Sequence, residues 1–232
     1  MKQKVFILLI LTLNLFTGPI CAQPSNFFIK HGNNIPALTC SSVIFAPLTD
    51  MYFCSEGTGA VWVKKQIDLQ QSFDIKFFAS FKDTTAVDGA AFVLQPDSNS
   101  LGGTDNGLGY KGIKNSIAVT FDAFQNTADN DPLFDHAAIQ SNGDIDDNST
   151  NNLAGPVSIE SYYAIQINPG YSPGKTFAHL INVKWDPVSM NFTVYIDGNL
   201  LIAVNKDLIQ TIFNGNPIVY WGFTGSNTKK KV

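Results

Sequence analysis

The sequence predicts an all-β protein, a jelly-roll β-sandwich, and three observations carry that expectation. Apolar residues recur at every second position and almost never at helical spacing. The alternating segments are short, and Asn, Asp, 18 Gly and 11 Pro punctuate the chain between them. Of the 232 residues, 44% are hydrophobic and 15% charged, with 18 Phe, 7 Tyr and 3 Trp. That is ample apolar surface for one large core, and it excludes a disordered acidic chain. A mature length of roughly 210 residues is long for an immunoglobulin-like sandwich and suits a large jelly roll.

Taken in order, the chain opens with Lys2 and Lys4 ahead of an apolar run, Val5 to Phe16. Gly18 and Pro19 break the run, and Ala22 places a small residue before Gln23. This pattern predicts a secretory signal peptide over residues 1–22. A run of about a dozen apolar residues falls short of the ~20 that cross a membrane as a helix. The expectation is one domain over residues 23–232, secreted or held at the cell surface, with no membrane span in the mature chain; an oligomer stays open. Once Cys21 leaves with the leader, Cys40 and Cys54 form an even pair in an oxidising compartment. A disulfide between them would stabilise the fold by about 3 kcal/mol in the chain-entropy view.

Strands are predicted next. Ile117 to Phe121 is an apolar run, and Phe73, Ile75, Phe77, Ala79 and Phe81 alternate. So do Ile181, Val183 and Trp185 within His179 to Asp186, and Phe192, Val194 and Ile196 just before Asp197-Gly198. Asp-Gly between two such runs predicts a type I′ hairpin, since both central residues need positive φ. Leu200 to Val204 and Ile218 to Phe223 complete the set. Two stretches, Gln95 to Asn115 and Gln125 to Pro156, read as long polar loops rich in Asp, Asn and Gly, a composition suited to ligand or metal work.

Charge narrows the function. The net charge is −4, and all 15 basic residues are lysine, which excludes a nucleic-acid reader as the default. All but two of the 19 acidic residues are aspartate, the exceptions being Glu56 and Glu160. Asp122 closes an apolar strand and is followed by Asn126, Asp131 and His136, the oxygen-rich kind of loop that calcium requires. By spacing alone, the same Asp and Asn side chains also suit turn caps. Gly107, Gly109 and Gly112 match the dinucleotide fingerprint by letter. They lack the preceding strand and following helix that would give it meaning.

The run Ile117-Ala118-Val119-Thr120-Phe121-Asp122-Ala123-Phe124-Gln125-Asn126, then Asp131-Pro132 and His136-Ala137-Ala138-Ile139, resembles the metal-binding signature of the L-type (legume-like) lectins. The bacterial surface-associated members look most similar. Val87-Asp88-Gly89-Ala90-Ala91-Phe92, Gly107-Leu108-Gly109-Tyr110, Asn182-Val183-Lys184-Trp185-Asp186 and Tyr220-Trp221-Gly222-Phe223 extend the likeness in the same order along most of the chain. The resemblance implies a concanavalin-like sandwich and a calcium-dependent carbohydrate-binding module whose partners are glycans. Asp122, the Phe124 carbonyl, Asn126 and Asp131 would hold calcium, and His136 would serve a neighbouring transition-metal site. Asp88 would accept hydrogen bonds from two sugar hydroxyls after a cis Val87-Asp88 peptide. Asn126 would donate its amide, Gly107 a backbone N–H, and Phe124 a ring face.

Two departures stand out. Thr120 occupies the position of a ligating glutamate in two-metal members, so calcium is expected and manganese is not; His136 is then left to hydrogen-bond within its loop. The family's sandwich also continues into a final strand, whereas only Asn227 to Val232 follow Ser226 here; the two readings are a sequence truncated relative to its relatives and a sandwich that lacks that strand. A jelly-roll glycoside hydrolase is the enzyme rival, but no pair of glutamates sits across a strand as that chemistry needs. Asp144, Asp146 and Asp147 read as a solvated loop with nothing apolar to favour a general acid. The chain is therefore expected not to be an enzyme. The third reading is a structural surface or adhesion module that binds no sugar.

Overall fold

The computed structural model describes residues 5–9, 28–32, 37–43, 46–53, 57–80, 88–97, 99–103, 107–162 and 179–227. Within them the strands are β1 (Val5–Leu9), β2 (Phe28–Gly32), β3 (Ala37–Val43), β4 (Ala46–Phe53), β5 (Gly57–Val63), β6 (Ile67–Asp68), β7 (Phe73–Ser80) and β8 (Gly89–Gln95). They continue as β9 (Ile117–Asp122), β10 (His136–Ser141), β11 (Asn152–Ser158), β12 (His179–Asp186), β13 (Asn191–Ile196), β14 (Asn199–Asn205) and β15 (Ile218–Asn227). The α-helix among the described residues is one turn, α1 (Leu208–Thr211), capped by Asp207, which accepts the Gln210 N–H at 3.0 Å.

Two antiparallel sheets result. One runs β14-β13-β12-β7-β1-β4-β3, and the other runs β11-β10-β9-β8-β15-β5-β2 with β6 paired to β15. The alternation in β7, β12 and β13 places Ile75, Phe77, Ile181, Val183, Trp185, Phe192, Val194 and Ile196 in the space between the sheets. There Phe77 stacks on Phe92 at 5.9 Å and meets the edge of Phe223 at 4.9 Å. The Asp197-Gly198 hairpin forms as expected, with φ of 52° and 83°.

Strands β8, β9 and β10 are buried at every position, because the second sheet is covered on both faces. On the face away from the main core, Leu108, Tyr110, Ile113 and Ile145 from two loops close over Ala60, Trp62, Ala91, Val93 and Ala118. A strand buried on both sides loses its period-two signal and reads as a continuous run. This explains one correction. The stretch Gln125 to Pro156, expected to be a single loop, contains β10 and β11. His-Ala-Ala-Ile-Gln-Ser shows no alternation, and β11 carries Gly155 and Pro156, tolerated because it lies at the sheet edge.

Strand β1 falls within the segment read as a leader, where it pairs with β4 and β7. Cys40 lies in β3 opposite Thr49, while Cys54, its expected disulfide partner, is outside the described residues. No helix among the described residues is long and apolar enough to cross a membrane.

Candidate metal and carbohydrate site

Three neighbouring strands end together and carry the site. Gly89 at the start of β8 sits opposite Asp122 at the end of β9, which in turn sits opposite His136 at the start of β10. Asp88, Asp122 and His136 therefore stand in a row along one end of the sheet. The Asp88 carbonyl accepts the Ala123 N–H at 3.0 Å, which fixes the Asp88 backbone to the strand that carries the metal ligands. Gly89 permits that approach: a Cβ there would lie 2.3 Å from the Phe121 carbonyl oxygen and 2.9 Å from Leu108 Cδ2.

After β9 the chain folds back on itself. Asp122 Oδ1 accepts the Phe124 N–H at 2.9 Å, and Asp131 Oδ2 accepts the Asn126 N–H at 2.6 Å. Between them a 3-10 turn, Thr127–Asp129, ends at Asn130 in the left-handed region. The return brings ligand atoms of Asp122, Asp131 and His136 within 4.8 Å of one another, all three residues buried. The Asn126 amide lies 3.2 Å from the Phe124 carbonyl, so the remaining two expected calcium ligands are also neighbours. Turning that amide over would present Oδ1 in place of Nδ2, a distinction set by the hydrogen-bond network.

Electrostatics fit a cation. Burial, and then the adjacent charge of Asp131, hold the Asp122 carboxyl well above the usual carboxylate range. Burial likewise raises Asp131. Burial pulls His136 down, but Asp147 against its ring and the charge of Asp122 outweigh that and raise it. Hard oxygen donors crowded together in a dry loop suit calcium, whose charge would offset their repulsion.

The expected sugar residues gather around this loop. Asp88 is 2% exposed, and Phe124 and Asn126 are partly exposed. Gly107 sits in a tight turn whose carbonyl accepts the N–H groups of Tyr110 and Lys111, both at 2.8 Å. Lys111 reaches across to Asp129 at 2.7 Å and ties this glycine loop to the metal loop. Val87, the other half of the expected cis peptide, lies outside the described residues. Thr120 Oγ1 is buried and donates to the Ala138 carbonyl at 3.3 Å.

Further residues at the site had no signal in the sequence. Asp147 is buried with Oδ2 3.0 Å from His136 Nε2, which overturns its reading as part of a solvated loop; nothing in Asp144-Ile145-Asp146-Asp147 marks which carboxylate turns inward. Burial works against Asp144 ionising, yet hydrogen bonds from Ser149 and Asn151 outweigh it and hold the carboxyl below its ordinary value. Leu133, 88% exposed, and Phe134 form an apolar rim on the turn before His136.

A metal-ready loop at the ends of adjacent strands of a two-sheet sandwich defines a carbohydrate-binding protein of the legume-lectin type. The family model for the legume lectin β-barrel domain matches residues 42–231, and the chain belongs to that family. Carbohydrate binding without catalysis is the activity that membership carries. Solved structures agree on the fold. Lectin II from Ulex europaeus is 20% identical with a TM-score of 0.56, over 92% of this chain and 89% of that one. Lectin I-B4 from Griffonia simplicifolia, in a metal-free form, is 16% identical with a TM-score of 0.61, over 91% and 90%. The lectin from Bauhinia forficata in complex with GalNAc is 18% identical with a TM-score of 0.58, over 88% and 87%.

Proposed function

We propose that the chain is a calcium-dependent lectin module of an exported or cell-surface protein. The reading is carried by the row of Asp88, Asp122 and His136 with Asp131 folded back onto it. Asp122, Asp131, the Phe124 carbonyl and Asn126 Oδ1 would hold calcium, whose charge would rigidify the loop. Asp88 accepts hydrogen bonds from two hydroxyls of one sugar ring, and Asn126 Nδ2 and the Gly107 N–H donate to others. The Phe124 ring covers an apolar sugar face. Legume lectins crystallised with galactose and GalNAc make a galactose-type ring the first ligand to try. Export rests on the basic start and apolar run, and N-terminal sequencing of exported material should begin at Gln23.

The test is a glycan array with and without a chelator, followed by two variants. Asp88→Ala should abolish capture while calcium affinity stays within about three-fold, because Asp88 lies on the sugar side of the metal. Asn126→Ala should remove both, and a buried partner left unpaired costs roughly 1–3 kcal/mol. Shallow single sites bind weakly, so the glycan should be displayed multivalently. Capture by Asp88→Ala equal to wild type would place the sugar elsewhere. Calcium binding with no glycan captured would favour a structural module.

A further inference from the structure

The first sheet is continuous because β1 sits in its middle. Val5 to Leu9 face Phe53 back to Thr49 on β4, and Phe6 to Leu8 face Ser80 back to Phe78 on β7, both antiparallel. The far flanks of these neighbours are taken, β7 by β12 and β4 by β3. Yet Val5-Phe6-Ile7-Leu8-Leu9 lies inside the basic-then-apolar segment of residues 1–22 that export would remove. One mature chain cannot both lose these residues and keep the strand.

Loss of β1 leaves two rows of backbone N–H and C=O groups facing each other across the width of one strand, where neighbours normally lie about 4.8 Å apart. The gap does not close by simple approach. Both neighbours are antiparallel to β1, so β4 and β7 run in the same direction, and joining them needs a new parallel register with slanted bonds. Nor does the sheet stand well open. Strands β3 and β4 join it through β1, and a two-stranded hairpin left alone is marginal in water. An open edge on a strand that carries core residues, here Phe77 and Ala79, is a template for another strand.

We propose that the exported chain offers this slot to an extended apolar segment of another exported polypeptide, which adds antiparallel to both β4 and β7. The chemistry of the occupant follows from the segment seated there: five consecutive apolar residues without proline, whose backbone N–H groups alternate toward one neighbour and the other. The proposal rests on the export reading, and it gives a glycan-binding module a means of attachment. The occupant joins the first sheet, while Asp88, Asp122 and His136 stand at one end of the second.

The test uses protein purified from the exported fraction, whose N-terminal sequence should start at Gln23. A synthetic Val5–Leu9 peptide, flanked by lysines for solubility, should then bind one per chain in a titration followed by fluorescence anisotropy, and should raise the melting temperature. The same peptide methylated on the Ile7 and Leu8 nitrogens is at least as apolar but loses one donor toward each neighbour. It should bind at least tenfold more weakly. Equal binding of the two peptides would mean apolar adsorption and overturn the proposal. So would an exported chain that still carries Val5–Leu9, a folded monomer that refuses the peptide because the gap has closed, or a dimer that excludes it because a second copy fills the slot. If the exported chain is unfolded by itself, near-ultraviolet circular dichroism decides: the plain peptide should restore a native signal where the methylated one does not, and any other result overturns the proposal. Glycan capture measured on the same samples separates the two readings. Capture without peptide binding defeats only this proposal, and peptide binding without capture defeats only the lectin reading.

Discussion

A carboxylate as deeply buried as Asp122, with Asp131 beside it, is comfortable as an anion only when a cation lies close. Burial and the Asp131 charge raise its carboxyl, and the direction fixes a pH dependence. In metal-free protein the folded-state value lies above the unfolded value near 3.9. The group therefore contributes its stability in full below about pH 4, and that contribution is lost as pH rises through the raised value. Calcium inverts this at neutral pH, since ligand binding to the native state adds RT ln(1 + [L]/Kd). Asp122→Asn separates the two effects. At pH 7 in chelator it should melt above wild type, by about 2–4 °C for each kcal/mol of repulsion relieved. In excess calcium it should melt below wild type. A variant that melts lower under both conditions would show that the Asp122 carboxylate stabilises the fold without a metal.

At the level of elements, the site depends on how closely β8 and β9 approach at their ends. Gly89→Ala would press a methyl against the Phe121 carbonyl and Leu108. Overpacking of this kind costs about 1–3 kcal/mol. It should shift Asp88 relative to Asp122, so glycan capture should fall more than calcium affinity; titration calorimetry and array binding on one sample measure both. Glycan capture unchanged in a stable variant would show that Asp88 does not depend on this approach. Legibility in the sequence follows the same geometry. Strands with one face on the core, β7, β12 and β13, show their alternation and were readable to within a residue or two at each end. Strand β10 was hidden by burial on both faces, and β11 by Gly155 and Pro156. The grouping of Asp122, Asp131 and His136, which the structure brings together, was legible through its resemblance to a known signature. Asp147 was not, because its inward turn is set by hydrogen bonds to Gln140, Asp129 and Asn152, which lie on other turns of the chain.

Across the whole molecule, two cores share one sheet, and Tyr110 joins them to the site. Its ring is fully buried in the smaller core, and burial raises its hydroxyl above the ordinary tyrosine value, so it stays protonated. The hydroxyl accepts the Gly143 N–H at 3.0 Å and reaches the Gln140 carbonyl at 3.3 Å. It thereby pins the loop that carries Asp147 to the loop that carries Gly107. Tyr110→Phe keeps the packing and removes only the hydroxyl, which leaves the Gly143 N–H buried without its acceptor at a cost of roughly 1–3 kcal/mol. The melting temperature should fall by about 2–4 °C for each kcal/mol lost. Amide exchange should locate the damage: Gly143 should exchange faster, while Val183 and Val194, in the core between the sheets, should keep their protection. Glycan capture should weaken with calcium affinity held, since the hydroxyl touches none of the calcium ligands. If Gly143 exchanges as in wild type and the melting temperature does not move, the two loops are held by their apolar contacts alone, and the hydroxyl has no part in presenting the site.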